Sequence, residues 1–468
     1  MYKTILPNRV TPLDPERVPG AGHFSAPPPH IRPPPPQLVD KPQGLCTILL
    51  FYEQQNMAHF AYRKFISLVV LLFVAGIAMG QEAAMLWQPD DYFAKPPSVQ
   101  WGEPVGVSDG LVRSIYYEGE TFNGRPTRVF AYYAKPKGEG PFPAVLLIHG
   151  GGGKAFADWA HLWARRGYVA LAPDLAGHGP EGKLEDGGPN QDDHAKFRVF
   201  TIDDGDYKNM WTWQVIANLL RGHALLAAQK EVDADRIAAT GISWGGYLTC
   251  ILAGVDTRLK AAVPVYGCGF LVESSCWSVG TFEKMTPEHR DRWVSLFDPA
   301  KHLVRATCPM LFVNGTNDFA YLPDSWNTST LLPKGPVHRS FSINLPHGHI
   351  FTFKEVDVFI DSVLLKDTKP LATVSPMQID DVKKMVTATF RSEVPIVKVE
   401  LITTADSENV WQKRKWTSVP GVLDGHKVSA TLPAEKLMAY YLLLTDERGL
   451  RISTPIVFPP VVLPLQSL

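Results

Sequence analysis

Cysteine is scarce in this chain, with five among 468 residues, too few for a disulfide framework to stand in for a hydrophobic core. Charge of either sign is not in surplus: 46 basic side chains face 47 acidic ones, for a formal net charge of −1. Such a balance gives no positive field to draw in nucleic acid or an anionic membrane, and no nucleic-acid partner is expected. No apolar run reaches the roughly 20 residues that a bilayer-spanning helix requires. The glycine cluster at 149–153 is not followed by Lys-Ser/Thr in phosphate-loop spacing, and the acidic and histidine residues match no metal-ligand pattern, so neither cofactor nor metal is expected. With 45% apolar and 20% charged residues, the chain has the composition of a globular protein and the length of two or three domains.

The two ends differ from the middle. Residues 1–56 are proline-rich, with runs such as Ala-Pro-Pro-Pro-His that favour extended polyproline conformations and carry no amphipathic period. At Met57 the character changes to a short basic region, an apolar core from Phe65 to Ala78, and a small-x-small pattern before Gln81. That order reads as a secretory signal peptide over 57–80. Translation is expected to start at Met57, with 1–56 a leader from a start site set too far upstream; a proline-rich tail with a short anchor is the alternative. The functional part is then secreted or periplasmic, with no stable membrane insertion after signal cleavage. Setting aside Cys46 in the leader, Cys250 and Cys308 read as packed thiols, while Cys268 and Cys276 flank a loop that a disulfide is able to close.

Residues 81–367 alternate strands and helices, the pattern of a parallel sheet covered on both faces. A lead-in to about Val107 precedes strands at 112–117, 128–134, 143–149 and 168–173, with a helix over 157–166. The strand at 143–149 is a continuous apolar run of the kind buried on both sides. The polar stretch from Asp174 to Asp206, holding Glu181, Glu185, Asp186, Asp192, Asp193 and His194, reads as a solvated loop, with a wall of the substrate pocket as the alternative. A long helix follows over 207–231, then strands at 235–241 and 260–267. Residues 268–300 look irregular and lid-like; strands at 309–313 and 340–345 and a helix at 353–365 complete the unit. Residues 368–468 hold only short alternating runs with polar or glycine turns, an antiparallel β-sandwich of immunoglobulin-like kind.

The middle of the chain is organised around Gly241-Ile-Ser-Trp-Gly-Gly246, placed between a strand and a helix. In that context Gly-x-Ser-x-Gly is a nucleophile elbow, a turn so tight that Ser243 is held in a strained conformation with its hydroxyl lifted clear of the sheet. Asp318 lies in the loop after one later strand, and His347 and His349 both lie in the loop after the next. The chain order is therefore Ser, Asp, His, each at a strand's C-terminal end, where parallel sheets place their sites. His349 is expected to be the base because Gly348 frees the backbone to swing its ring toward Ser243, with His347 lining the pocket. Asp324 is the alternative acid. The N–H groups of Gly151, in the glycine cluster, and of Trp244 are the expected oxyanion donors.

These motifs, His149-Gly-Gly-Gly-Gly153, Asp174-x-x-Gly-x-Gly179, the elbow, Asn314-Gly-Thr-Asn-Asp318 and Pro346-His-Gly-His349, resemble the secreted bacterial α/β-hydrolases grouped with acetyl xylan esterases, dienelactone hydrolases and prolyl-oligopeptidase-type catalytic domains. The resemblance covers about 100–366. It implies an α/β-hydrolase fold and serine-dependent ester hydrolysis through an acyl-enzyme, on a small-molecule or carbohydrate ester, without cofactor. The chain departs from dienelactone hydrolases in having Ser243 where they carry cysteine, and it lacks the propeller of oligopeptidases. A serine peptidase and a non-catalytic carbohydrate- or surface-binding protein are the competing expectations.

Overall fold

The computed structural model describes residues 86–459 except 107–108, 110, 192–198 and 201–206. The leader, the signal segment, Asp192, Asp193 and His194 lie outside the described residues.

A nine-stranded sheet forms the centre. Its strands are β1 (Val99–Pro104), β2 (Val112–Glu118), β3 (Arg128–Ala134), β4 (Phe142–Ile148), β5 (Val169–Pro173), β6 (Val232–Ile242), β7 (Ala261–Val265), β8 (Met310–Gly315) and β9 (Val337–Ser342), in spatial order β1-β2-β3-β5-β4-β6-β7-β8-β9. The first three and the β3–β5 pair run antiparallel, whereas β5 through β9 pair in parallel. The reason is legible in composition. Every residue of β5, β7 and β8 is buried, as a strand covered on both faces requires. By contrast β1 is mostly exposed and closes the antiparallel edge.

Helices α1 (Pro89–Ala94), α2 (Ala157–Arg165), α3 (Trp211–Ala227), α4 (Trp244–Val255), α5 (Pro287–Phe297), α6 (Ala300–Leu303), α7 (Pro323–Ser329) and α8 (Lys354–Leu364) flank this sheet. Two corrections apply to the reading of the sequence. The stretch 81–107 is more than a lead-in, since it supplies α1 and the edge strand β1. The segment 268–300 is not irregular throughout: Thr286 caps α5 by accepting from the His289 N–H at 3.3 Å, Pro287 stands at its first position, and Trp293 is fully buried. Among the described residues no helix is long and apolar enough to cross a membrane.

The C-terminal part is built of antiparallel sheets. One joins β10 (Thr373–Val374), β11 (Gln378–Asp380), β12 (Met385–Arg391), β15 (Val422–Asp424) and β16 (Lys427–Thr431); the other joins β13 (Ile396–Thr404), β14 (Thr417–Pro420), β17 (Ala439–Asp446) and β18 (Arg451–Ser453). Strand alternation divides the labour. Along β17, Tyr440, Leu442 and Leu444 join Val386, Phe390, Leu401 and Val428 in a core between the two sheets, while Ala439, Tyr441 and Leu443 belong to the core of the nine-stranded unit. Strand β17 is thus buried on both faces because the sandwich is docked. Tyr441 meets Phe341 of β9 edge-on at 5.2 Å, Asn327 of α7 exchanges two hydrogen bonds with the Ile456 backbone at 2.7 and 3.1 Å, and the Arg451 N–H donates to Glu355 at 3.1 Å.

Candidate active site

The six parallel strands all end on one edge, and β4, β6, β8 and β9 each deliver part of a site there. The tightest turn is at the end of β6. Ser243 has φ 60° and ψ −118°, a region costly for any residue with a side chain. Its N–H donates to Val265 O and its carbonyl accepts from Tyr247 N–H, each at 2.9 Å, so the neighbouring strand and α4 hold the strain in place. Glycine is obligatory beside it: a Cβ on Gly245 would overlap the Ile148 carbonyl, and one on Gly241 would overlap Gly245 itself.

Asp318 follows β8 and is 1% exposed. Its Oδ1 accepts from the N–H groups of Ala320 and Tyr321, both at 2.8 Å, which fixes the carboxylate plane and aims Oδ2 at the last loop. There, His347 Nδ1–H donates to Asp318 Oδ2 at 2.8 Å, and Ser243 Oγ–H donates to His347 Nε2 at 2.9 Å. The carboxylate accepts only, so it selects the tautomer with Nδ1 protonated and leaves the Nε2 lone pair facing the hydroxyl.

This corrects the expectation for His349. Its Nε2 instead accepts from the Gly150 N–H at 3.0 Å, and its ring lies 5.0 Å from that of Phe156. Burial is the main cause that lowers its pKa below the ordinary histidine value, and the bond from Gly150 uses the lone pair a proton would need. The freedom supplied by Gly348 is not what places a ring next to Ser243. The His347 ring is stacked on Tyr266 at 4.4 Å and 21°, flanked by Phe319 at 4.7 Å, and braced by the bond from Tyr266 Oη–H to Pro346 O at 2.6 Å. Burial, then the Asp318 carboxylate, raise the Tyr266 pKa, so it remains a neutral donor. Asp324 takes no part: at the start of α7 it accepts from the Ser325 N–H at 3.0 Å.

Tyr266 was missed in the sequence, although its place directly after a buried strand and its φ of +65° mark it as a constrained position. Gly151, the expected loop donor, lies against the Trp244 ring, and among the described residues the N–H groups of Gly151 and Trp244 have no hydrogen-bond partner. The loop is held from below by His149, whose Nε2 accepts from Leu175 N–H at 2.9 Å while Nδ1–H donates to Gly150 O at 2.7 Å. Trp244 is the hub of an aromatic wall that includes Trp277 at 4.5 Å and Trp211 at 5.7 Å. Of the polar loop after β5, Asp186 is engaged by the Arg128 guanidinium, which lowers its pKa. Cys268 and Cys276 are free thiols: no disulfide joins them, and Cys268 is fully buried.

Residues 111–277 match the acetyl xylan esterase family and residues 205–351 the prolyl oligopeptidase family. A carboxymethylenebutenolidase-type protein of Salmonella typhi is 35% identical over 168 residues, 35% of this chain and 55% of that protein. Acetyl esterase Axe7A of Xylanibacter ruminicola is 25% identical over 220 residues, 43% of this chain and 49% of its own. The solved acetyl xylan esterase from Paenibacillus sp. R4 superposes with a TM-score of 0.48 at 22% identity, over 63% of this chain and 94% of that one. The chain spans about half the length of these two curated relatives. Residues 111–351 therefore have the α/β-hydrolase fold and are similar in sequence to acetyl xylan esterases, to carboxymethylenebutenolidase-type proteins and to the prolyl oligopeptidase family.

Proposed function

We propose that the protein is a serine carboxylic-ester hydrolase, acting on acetyl esters in the manner of an acetyl xylan esterase. The observation that carries this is the unbroken line from Asp318 Oδ2 through His347 to Ser243 Oγ, with both bonds within 2.9 Å. In the first half-reaction, Ser243 Oγ attacks the ester carbonyl as His347 Nε2 takes its proton, and Asp318 stabilises the imidazolium. The same proton then passes from Nε2 to the leaving alcohol. The oxyanion is held by the N–H groups of Trp244 and Gly151, each contributing about 3 to 4 kcal/mol by comparison with other hydrolases. Water, deprotonated by His347, releases the acid from the acyl-enzyme.

The acetyl preference draws on the family matched by residues 111–277 and on the named activity of Axe7A. The second reading, a serine peptidase, draws on the match of 205–351 to the prolyl oligopeptidase family; the same side chains would serve it. Turnover of p-nitrophenyl acetate and acetylated xylan, set against prolyl and aminoacyl p-nitroanilides, separates the two. The ester reading predicts hydrolysis of the first pair alone, with activity lost by about six orders of magnitude in Ser243→Ala. Peptide turnover with inert esters would overturn it.

A further inference from the structure

Five side-chain amides are buried among the described residues: Gln191, Gln214, Asn218, Asn314 and Asn327. Four have at least one partner. Gln214 donates to Thr121 O and Lys208 O, Asn218 accepts from Glu120 N–H, Asn314 donates to Tyr321 O, and Asn327 is paired with Ile456. Gln191 is the exception: it is 8% exposed, and neither its Nε2 nor its Oε1 has a partner. A buried amide with both ends unsatisfied forfeits the hydrogen bonds it had to water and gains nothing in the free protein. A group of this kind calls for an explanation, and a ligand that completes it is one.

Its position says which ligand. A Cβ built on Gly151 would stand 3.4 Å from Gln191 Nε2, 3.3 Å from the indole Nε1 of Trp244 and 2.7 Å from the indole Cδ1. The amide therefore lies beside Gly151, on the same side of it as the Trp244 indole, and Trp244 directly follows Ser243. A side chain at 151 would press on both the indole and the amide. The carboxamide both donates and accepts, and its natural complement is a hydroxyl, which does the same. A carboxylate would satisfy only the donor end.

We propose that Gln191 is a specificity residue of this site, its amide hydrogen-bonding a free hydroxyl of the substrate next to the scissile ester. The inference rests on the ester-hydrolase reading above and adds to it the group that selects among esters. Esters of polyhydroxylated alcohols are the class favoured; simple alkyl esters leave the amide unpaired in the complex as in the free protein.

The test compares 2-hydroxyethyl acetate with propyl acetate, which differ by a hydroxyl in place of a methyl, in the wild type and in Gln191→Leu, with Tm recorded for both proteins. The wild type should favour the hydroxy ester in kcat/KM by roughly tenfold or more. In Gln191→Leu the ratio should fall to near one, propyl acetate should be cleaved about as fast as by the wild type, and Tm should be unchanged or higher because an unsatisfied amide is gone. An unchanged ratio in the variant would overturn the proposal. So would a parallel loss on both esters with a lowered Tm, which would make Gln191 a packing residue. A wild type that cleaves both esters equally refutes the subsite alone, whereas one that cleaves neither of them, nor p-nitrophenyl acetate or acetylated xylan, refutes the hydrolase reading and the subsite with it.

Discussion

The C-terminal edge of the nine-stranded sheet and the C-terminal sandwich are both made of β-structure and loops, yet they handle strain in opposite ways. Among the described residues, seven non-glycine residues have positive φ, and four of them, Ser243, Tyr266, Phe270 and Asn344, lie in loops after β6, β7 and β9. The sandwich has one, Lys384, in the turn before β12. Buried charge does not divide so cleanly: Asp318 is enclosed at the sheet edge, but Asp446 at the end of β17 is also buried, paired with Arg448 at 2.7 Å. Backbone strain costs stability and persists where the surroundings hold it for chemistry. The sandwich, by contrast, is attached through a strand with two apolar faces and a few well-formed polar bonds, which is the signature of a support.

That contrast can be broken by substitutions on each side. Ser243→Ala should lower turnover by about six orders of magnitude and leave the unfolding transition nearly where it was; a large stability loss would mean that the edge is a structural element after all. Asn327→Ala should do the reverse. It deletes the pair of hydrogen bonds to Ile456 and leaves two buried backbone groups unsatisfied, a loss of about 1 to 3 kcal/mol read by urea unfolding, with esterase kinetics little changed. Activity falling in step with stability at low denaturant would show that the sandwich shapes the site as well as supporting it.

The smallest effect is in acid. His302, within α6, is fully buried: its Nε2–H donates to Leu296 O at 2.9 Å and its Nδ1 accepts from Arg305 at 3.0 Å. Burial first, and the Arg305 cation second, lower its pKa from 6.5 to about 3. The unfolded chain takes up this proton below about pH 6.5 and the folded one only near 3, so the contribution is complete above 6.5 and is lost progressively between these values. His302→Gln should flatten the fall of unfolding free energy over that window. An unchanged slope would assign the acid sensitivity elsewhere.

Much of this was legible in the sequence, and what was not has a physical reason. The continuous apolar runs of β4, β5 and β8 announced a sheet buried on both faces, and the Gly-x-Ser-x-Gly turn between strand and helix marked Ser243. Asp318 was marked by its place after a strand. The two histidines were not separable, because the choice depends on a ring stack with Tyr266 and a brace from Tyr266 to Pro346, partners 80 and 81 residues away in sequence that meet only across the sheet edge. The helix α5 did carry its signals, Thr286 and Pro287, but the segment 268–300 around it read as irregular and lid-like. Gln191 carried none: a single glutamine in a polar loop is unremarkable until its neighbours are known. The intimacy of the docked sandwich was likewise hidden, since the alternation of β17 reads the same whether its second face meets water or Phe341.

The central claim is that His347, and not His349, is the base for Ser243. Steady-state hydrolysis of p-nitrophenyl acetate by His347→Ala and His349→Ala, measured side by side on folded protein, tests it most directly. The geometry predicts a loss of at least about three orders of magnitude in kcat for His347→Ala. For His349→Ala it predicts a loss of about tenfold to a hundredfold, from a glycine loop that is no longer held at Gly150. A nearly inactive His349→Ala beside a working His347→Ala would contradict it.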